Sequence, residues 1–227
     1  MQSTLRLLST LALKGAVERL AGQYQAATGV KLDADFAPTV GLLKRLREGE
    51  KADILILTRE GLDELAAGGS VAPASKVDLA KSWVGIAVKA GAPRPDISTE
   101  AALRTTLLAA RSVAYSKIGA SGLYFAELIQ RLGIAAEINA RATITAGFTA
   151  ERLITGEADL AVQQLSELKQ VAGVEIVGPI PRGLQTAAVF TAGRMASSAK
   201  VAEADGLLKY LASPEVAPVL RESGLEP

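Results

Sequence analysis

The order of strand-like and helix-like segments is the feature that most restricts what this chain can fold into. Residues 53–58 read Asp-Ile-Leu-Ile-Leu-Thr, a continuous apolar run of strand length. Such a run is typical of a parallel strand buried on both faces. Residues 5–8 and 30–36 also read as strands, and a helix-like segment follows each of the three. The first eighty residues therefore predict the order β-α-β-α-β-α of a doubly wound α/β lobe.

The turn after the first strand contains the first candidate binding residues. Ser9 and Thr10 supply two hydroxyls, and Lys14 stands at the start of a predicted helix whose apolar residues are spaced three and four apart: Val17, Leu20, Ala21 and Tyr24. A helix N-terminus has unpaired backbone N–H groups and a partial positive charge, so this turn can hold an anion. The alternative is that the two hydroxyls only satisfy their own loop.

Similar turns recur along the chain. The second strand ends in Pro38-Thr39-Val40-Gly41, just before another predicted helix. A strand at residues 112–115 is followed by the turn Ser116–Gly122, which is rich in Ser and Gly and opens a helix. A further strand at 142–145 leads to a turn at Gly147 and a helix after it.

Two segments of the sequence have the same construction. Each has Gly-Glu, Ala-Asp, an apolar strand and then Leu-x-Glu-Leu, first from Gly49 to Leu65 and again from Gly156 to Leu168. In the second segment, Ser166 is expected to cap the short helix that contains Glu167. The repetition predicts two similar lobes, with helix starts near residues 14, 40, 121 and 147 paired two per lobe. Ligands in open α/β sheets bind at the carboxyl ends of strands, so these helix starts predict an anion or carboxylate site.

Composition excludes several classes of site. The chain has 227 residues and a formal net charge of +1, from 25 basic and 24 acidic residues, so it has no global field for nucleic acid or an acidic membrane. It contains no Cys and no His, which excludes disulfides, thiolate nucleophiles, His-containing triads and ordinary zinc sites. We therefore expect a monomer that binds a small anion, with no cofactor, no metal and no nucleic-acid partner.

The chain resembles the type 2 periplasmic substrate-binding proteins, and within them the molybdate-binding branch, which includes proteins similar to aconitate isomerase. The resemblance rests on F-A-P-T-V-G-x-L, E-G-E-K-A-D-I-L-I-L, S-G-L-Y-x-A-x-L-I-Q-R-L-G and G-E-A-D-L-A-V-Q-Q-L-S-E-L, in this order and spacing. It implies two doubly wound, Rossmann-like lobes, residues 1–82 with 185–227 and residues 83–184. Trp83–Val88 and Thr186–Thr191 would be crossover strands that join the lobes and flex as they close on a ligand in the cleft.

The resemblance also implies positions for the ligand contacts. The hydroxyl of the family's first loop aligns with Ala12 and is missing, whereas Thr39 keeps the hydroxyl of the second turn. The family's tyrosine that contacts the oxyanion aligns with Gln164. With the turns described above, the predicted ligand-binding set is Ser9, Thr10, Ala12, Lys14, Thr39, Val40, Thr58, Ser116, Ser121, Gly122, Gly147 and Gln164.

The departures from the family pattern favour a ligand other than molybdate. Lys14 and Lys117 lie in the relevant loops, and a positive charge suits a carboxylate better than neutral donors alone do. The preferred function is therefore a solute-binding protein that closes on a small organic carboxylate, or on an oxyanion, and that serves an ABC transporter membrane subunit. The resemblance implies a periplasmic location, whereas the absence of a recognisable signal peptide before the first strand implies a cytoplasmic one.

Two other functions remain open. An aconitate-isomerase-like enzyme would catalyse an allylic proton shift on a small tricarboxylate and would need a base near the ligand; the candidates are Lys14, Lys117, Tyr115, Tyr124 and Glu127. A ligand-sensing module would resemble the effector domains of LysR-type regulators, which share the two-lobed fold. That module would need a DNA-binding partner, because nothing in the sequence reads as a helix-turn-helix before the first strand.

Overall fold

The structure is a computed structural model that describes residues 3–227; residues 1 and 2, which open the predicted first lobe, lie outside the described residues. Its strands are β1 (Thr4–Ser9), β2 (Lys31–Phe36), β3 (Ile54–Thr58), β4 (Val77–Ser82), β5 (Val84–Lys89), β6 (Val113–Tyr115), β7 (Thr143–Ile144), β8 (Leu160–Gln164), β9 (Val174–Pro179) and β10 (Ala188–Arg194). Its α-helices are α1 (Lys14–Thr28), α2 (Thr39–Arg47), α3 (Arg59–Ala67), α4 (Glu100–Ala109), α5 (Ala120–Arg131), α6 (Ala135–Asn139), α7 (Glu151–Ile154), α8 (Leu165–Leu168), α9 (Val201–Leu211) and α10 (Ala217–Glu222). Short 3-10 helices cover Leu11–Leu13, Pro73–Ser75, Arg182–Leu184 and Pro214–Val216.

The strands form two sheets of the same topology. The first has the order β2-β1-β3-β10-β4 and the second the order β7-β6-β8-β5-β9. In each sheet three strands are parallel, β2-β1-β3 or β7-β6-β8, and the next strand, β10 or β5, is antiparallel to its neighbours on both sides. The two doubly wound α/β sheets expected from the sequence are therefore confirmed.

The chain divides into two compact units. Unit 1 contains residues up to Ser82 together with Ala188–Pro227, and unit 2 is Trp83–Ala187. The chain thus passes from one unit to the other after Ser82 and again after Ala187. Trp83–Val88 and Thr186–Thr191 were expected as crossover strands. Strand β5, after the first passage, lies within the second sheet, and β10, after the second passage, lies within the first. The sequence reading missed β4, the strand just before the first passage.

Strand β3 shows why the continuous apolar run predicts a central parallel strand. Ile54 and Ile56 belong to one hydrophobic cluster of unit 1, with α1, α9 and α10, whereas Leu55 and Leu57 belong to another, with α2 and α3. Because successive side chains point to opposite faces of a sheet, an apolar residue is needed at every position. Strand β8 has the same arrangement in unit 2, where Leu160 and Val162 pack in one cluster and Ala161 in the other.

An aspartate before each of these strands has the same role in both units. The carboxylate of Asp53 accepts a hydrogen bond from the backbone N–H of Arg6 at 2.9 Å, and that of Asp159 accepts one from the N–H of Arg111 at 2.9 Å. Each aspartate thus ties the start of a central strand to its parallel neighbour, at Arg6 within β1 and at Arg111 just before β6. The Ala-Asp repeat seen in the sequence therefore corresponds to a repeated structural contact.

Two details of the predicted second half are wrong. The helix expected to start near Gly147 begins at Glu151 and is a single turn, so Gly147 lies in a loop. The residue at the N-cap of α8 is Gln164 rather than Ser166. In the Gly147 loop, the Thr145 hydroxyl accepts from the N–H of Gly147 at 3.4 Å, and local spacing does not distinguish that role from a helix start.

Candidate functional site

In unit 1, the candidate residues gather where the parallel strands β1, β2 and β3 end. The Thr39 hydroxyl accepts a hydrogen bond from the N–H of Thr58 at 3.3 Å, so the second and third turns are in contact. The Ser9 hydroxyl donates to the carbonyl of Thr10 at 3.1 Å, as in the interpretation that it serves its own loop. The Thr10 side chain is nearly buried, and within residues 3–227 no hydrogen bond engages its hydroxyl.

The first loop also contains Ala12 and Lys14, and their environments differ. Ala12 lies in the 3-10 turn and its side chain packs into the core; its assignment as a ligand residue stays a prediction. Lys14 is the first residue of α1, and its ammonium contacts the Glu18 carboxylate at 2.5 Å. The same ammonium lies 5.6 Å from the centre of the Phe36 ring, at the end of β2.

In unit 2, the Ser- and Gly-rich turn after β6 is tightly built. The Ser116 hydroxyl accepts hydrogen bonds from the N–H groups of Ile118 and Gly119 at 3.2 and 3.1 Å, so Ser116 shapes the turn. A Cβ atom on Gly122 would lie 1.6 Å from the carbonyl oxygen of Ser116, which requires glycine at this position. Ser121 is buried in the first turn of α5, and no hydrogen bond within the described chain engages its hydroxyl.

The two glutamines at the end of β8 have different environments. The Gln163 amide accepts from the N–H of Thr149 at 2.8 Å and donates to the carbonyl of Gly147 at 3.2 Å, so it satisfies loop backbone. Gln164 caps α8, and its N–H donates to the Glu167 carboxylate at 3.2 Å in a capping box. In the other half of that box, the Gln164 side-chain oxygen faces the backbone N–H of Glu167. This oxygen is buried and makes no hydrogen bond of normal geometry, so it can still accept one.

The longer helices differ in how they begin. Helix α3 is capped by Thr58 and has Glu60 in its first turn, and α4 is capped by Thr99 and has Glu100 in its first turn. Helix α9 has no side-chain cap but has Glu203 in its first turn. In the described chain, α1, α2 and α5 have neither a side-chain cap nor an acidic residue in the first turn. These three helices follow the parallel strands β1, β2 and β6, α1 after the 3-10 turn Leu11–Leu13 whose Leu11 carbonyl accepts from the N–H of Lys14. The three helical segments therefore begin at strand ends, where ligands bind in α/β sheets.

The structure separates the candidate bases. The Tyr115 hydroxyl donates to Asn139 at 2.5 Å from within the core, and the Tyr124 hydroxyl donates to the carbonyl of Leu184 at 3.2 Å. Burial raises the pKa of both phenols, that of Tyr124 to about 12. Both hydroxyls therefore stay protonated at neutral pH and cannot accept a proton there. Lys117 and Glu127 are exposed, Lys117 in the turn before α5 and Glu127 on the helix itself.

Sequence reasoning treated Glu167 as a helix residue and missed its unusual environment. Its side chain is buried at the carboxyl end of β8, and burial raises the pKa of its carboxyl from 4.5 to about 7, opposed by the hydrogen bond from Gln164. The Leu-x-Glu-Leu repeat marks the position, but Glu64, its counterpart in the first repeat, is exposed and paired with Arg47. The repeat alone therefore could not show which glutamate is buried.

Residues 3–227 contain neither a membrane-spanning helix nor a cluster of metal-ligating side chains. No helix there has the length and apolar character to cross a membrane. No group of three or more His, Cys, Asp or Glu side chains in that range could hold a metal ion.

Two α/β units of identical strand order, each with an uncapped helix following a parallel strand, define the type 2 periplasmic binding protein class. The pattern of one family in that class, described as bacterial extracellular solute-binding protein, matches residues 5–226, and the chain belongs to this family. The fold and the family expected from the sequence are thus confirmed.

Individual relatives and structures support this assignment. The chain is 39% identical over 232 residues to an aconitate isomerase from a Pseudomonas species, and the match covers 99% of this chain and 88% of the relative. The periplasmic molybdate-binding protein of Azotobacter vinelandii superimposes with a TM-score of 0.83 at 20% identity, over 98% of this chain and 99% of that one. The sulfate-binding protein SubI of Mycobacterium tuberculosis gives 0.79 at 14% identity, over 99% and 87% of the two chains. At these identities the two structures show the fold.

Proposed function

We propose that this protein binds a small polycarboxylate of the aconitate class through the strand-end turns at which α1, α2 and α5 begin. The observation that carries the proposal is that these three helices lack both a side-chain cap and a first-turn acid, whereas α3 and α4, which also follow chain turns of the two units, have both. Uncapped N–H groups at the positive end of a helix dipole are donors for an anion. An acidic residue in the first turn would compete with that anion.

The surroundings of these helix starts favour an organic anion over an inorganic one. Lys14 brings formal positive charge to the start of α1, and Lys117 brings it to the turn before α5. Val40 at the start of α2 and Ile118 and Leu123 at the start of α5 are large apolar side chains that remain 42–50% exposed. Apolar surface beside anion donors suits a ligand with a carbon skeleton, because such sites combine apolar walls with a few polar groups. Molybdate, sulfate and phosphate have no such skeleton.

A second candidate function is the interconversion of cis- and trans-aconitate. The full-length relative at 39% identity is an aconitate isomerase. In an allylic shift, a base removes a proton from the methylene carbon, the double bond moves, and a proton is added to the former vinylic carbon. The shift requires neither a redox partner nor a cofactor. Proton transfer at neutral pH is most efficient for a group with a pKa near 7, and the pKa of Glu167 is raised to about that value at the end of β8.

Titration calorimetry and NMR spectroscopy test the two functions together. Binding is measured for cis-aconitate, trans-aconitate, citrate, molybdate, sulfate and phosphate, and the aconitates are then followed by NMR in D2O. We expect a Kd for at least one tricarboxylate at least tenfold below that for any inorganic oxyanion. Interconversion with deuterium incorporation would establish the isomerase, and binding without it would establish a solute-binding protein. Binding of molybdate but of no carboxylate would refute both.

Matched variants connect the ligand to the proposed turns. Ser121→Ala removes a hydroxyl from the first turn of α5, whereas Thr105→Ala removes an exposed hydroxyl from the middle of α4. One hydrogen bond to a charged ligand contributes roughly 1.5 kcal/mol, so its loss raises the Kd about tenfold. We expect that loss for Ser121→Ala and an unchanged Kd for Thr105→Ala.

We also propose that a solute-binding role would involve the membrane subunits of an ABC transporter. The support is a structural neighbour, the substrate-binding domain of a molybdenum ABC transporter from Clostridium difficile, which shares the fold with a TM-score of 0.75 at 15% identity. Stimulation of transporter ATPase activity by the ligand-loaded protein, but not by the ligand-free protein, would test this partner.

A further inference from the structure

Lys14 has its charge at the unfavourable end of its helix. It is the first residue of α1, where the helix dipole is positive and a cation is destabilised. The first turn of α1 has no acidic residue to compensate. Local rules of this kind are most often broken at functional sites. The features that hold the ammonium in place therefore bear on how the turn binds its ligand.

Two side chains hold the Lys14 ammonium. The Glu18 carboxylate lies one helical turn further along, at 2.5 Å, and the face of the Phe36 ring lies 5.6 Å away. A Lys-to-Glu order at this spacing is the weaker of the two orders on a helix. Both charged side chains retain solvent access, with 31% of Lys14 and 51% of Glu18 exposed. The Glu18 carboxylate can therefore swing away without leaving a buried charge unpaired.

We propose that Glu18 is an internal carboxylate that holds Lys14 until a ligand carboxylate replaces it. This inference rests on the proposed function, because it assigns Lys14 to the ligand. Glu18 competes as part of the same helix, so its effective concentration at the ammonium is high. A ligand with a single carboxylate only exchanges one ion pair for another. A polycarboxylate exchanges that pair and places further carboxylates on other donors, such as the uncapped N–H groups of α2.

The proposal predicts that replacing Glu18 by a neutral side chain of the same length increases the affinity for the ligand. Glu18→Gln removes the competing charge and keeps the side-chain length, so every anion that contacts Lys14 should bind more tightly. Removing an exposed ion pair of this kind should decrease the Kd for trans-aconitate about two- to fivefold. A purely structural role for Glu18 predicts an unchanged or weaker affinity instead.

The matched control is Glu48→Gln, at the C-cap directly after α2. Glu48 pairs with Lys44 at the same spacing, 3.8 Å apart, toward the end of that helix, so the substitution changes the net charge equally. Calorimetry with trans-aconitate is run on Glu18→Gln, Glu48→Gln, Lys14→Ala and the double variant of Lys14 and Glu18, each checked for an unchanged thermal midpoint within a few degrees. We expect a gain for Glu18→Gln only, and no gain when Lys14 is absent.

The outcomes separate the inference from the function on which it rests. If Lys14→Ala weakens binding while Glu18→Gln leaves it unchanged or weakens it, the internal-carboxylate role is wrong and the proposed function stands. A gain that persists without Lys14, or that Glu48→Gln shares, would also overturn that role, because it would be a general charge effect. If neither wild-type protein nor any variant binds a carboxylate, the proposed function itself fails.

Discussion

Replacing Glu167 by glutamine should remove a specific loss of stability that develops as pH rises. The Glu167 carboxyl is buried beside β8, and one oxygen accepts the N–H of Gln164 at 3.2 Å. Burial raises its pKa to about 7, and the hydrogen bond from Gln164 opposes this only in part. Glutamine keeps an oxygen at the position of that acceptor but cannot ionise. The substitution therefore isolates the cost of the buried charge.

The sign and size follow from linkage. Below the unfolded-state pKa of 4.5 the carboxyl is protonated in both states, so the folded form has its full stability. Between 4.5 and about 7 the unfolded chain ionises first, and above about 7 the folded protein bears the whole cost. At 1.36 kcal/mol per pKa unit this amounts to about 3 kcal/mol. Wild-type protein should lose that much more stability than Glu167→Gln between pH 4 and pH 8.

The assay is urea unfolding at a series of pH values. Fluorescence of Trp83, the one tryptophan in the sequence, reports on unit 2, which also contains Glu167. The control is Glu157→Gln, because hydrogen bonds from Thr155 and Arg152 lower the pKa of Glu157. Glu157 therefore contributes stability above the unfolded pKa and loses it as pH falls, the opposite sign. If the unfolding free energies of wild-type protein and Glu167→Gln stay parallel from pH 4 to pH 8, Glu167 is not a buried acid of raised pKa.

Five further substitutions test three separate contacts by the same unfolding assay. Gly122→Ala should cost at least about 3 kcal/mol or prevent folding, since its Cβ would overlap the Ser116 carbonyl. Gly147→Ala has open space and should cost under about 1 kcal/mol; equal costs would contradict the packing of the turn before α5. Asp53→Ala should cost about 2–3 kcal/mol because it removes the acceptor of hydrogen bonds from Ser198, Lys200 and the Arg6 N–H. Asp159→Ala, at a more exposed site, should cost about 1 kcal/mol. A larger cost for Asp159→Ala than for Asp53→Ala would contradict this account. Tyr115→Phe should cost about 1–2 kcal/mol of stability because it loses the hydrogen bond to Asn139. It should leave the turnover of aconitate unchanged. A large loss of turnover at constant stability would restore Tyr115 as a candidate base.

Under the proposed function, one framework can serve different anions. In the described chain, α1, α2 and α5 begin without a side-chain cap, so the ligand donors there would be main-chain groups that do not depend on side-chain identity. Side chains around them, such as Lys14 and Val40, would then adjust charge and apolar contact. Ala12, a position carried over from the family, has its side chain in the core of unit 1. The expectation that one ligand contacts both units stays a prediction.

Several elements followed from local sequence alone. The apolar run of β3 predicted a strand buried on both faces, and Ile54, Leu55, Ile56 and Leu57 are all fully buried. The apolar spacing predicted α1, and Val17, Leu20 and Tyr24 are its buried residues. Strand β4 was missed because Asp78 and Lys81 interrupt its apolar pattern; its place depends on pairing with β10, more than a hundred residues away. Pairing partners at that separation leave no periodic signal in either strand.

The sequence by itself determined the α/β order, the repeat, the absence of His and Cys and the positions of the polar turns, because these depend on neighbouring residues. Only the tertiary structure decided which polar groups are buried or occupied. Tyr115 became a core residue through Asn139, Glu167 acquired a raised pKa, and Lys14 was placed beside Phe36 at the end of another strand. Desolvation and ion pairing depend on which segments pack together, and that packing joins residues far apart in the chain.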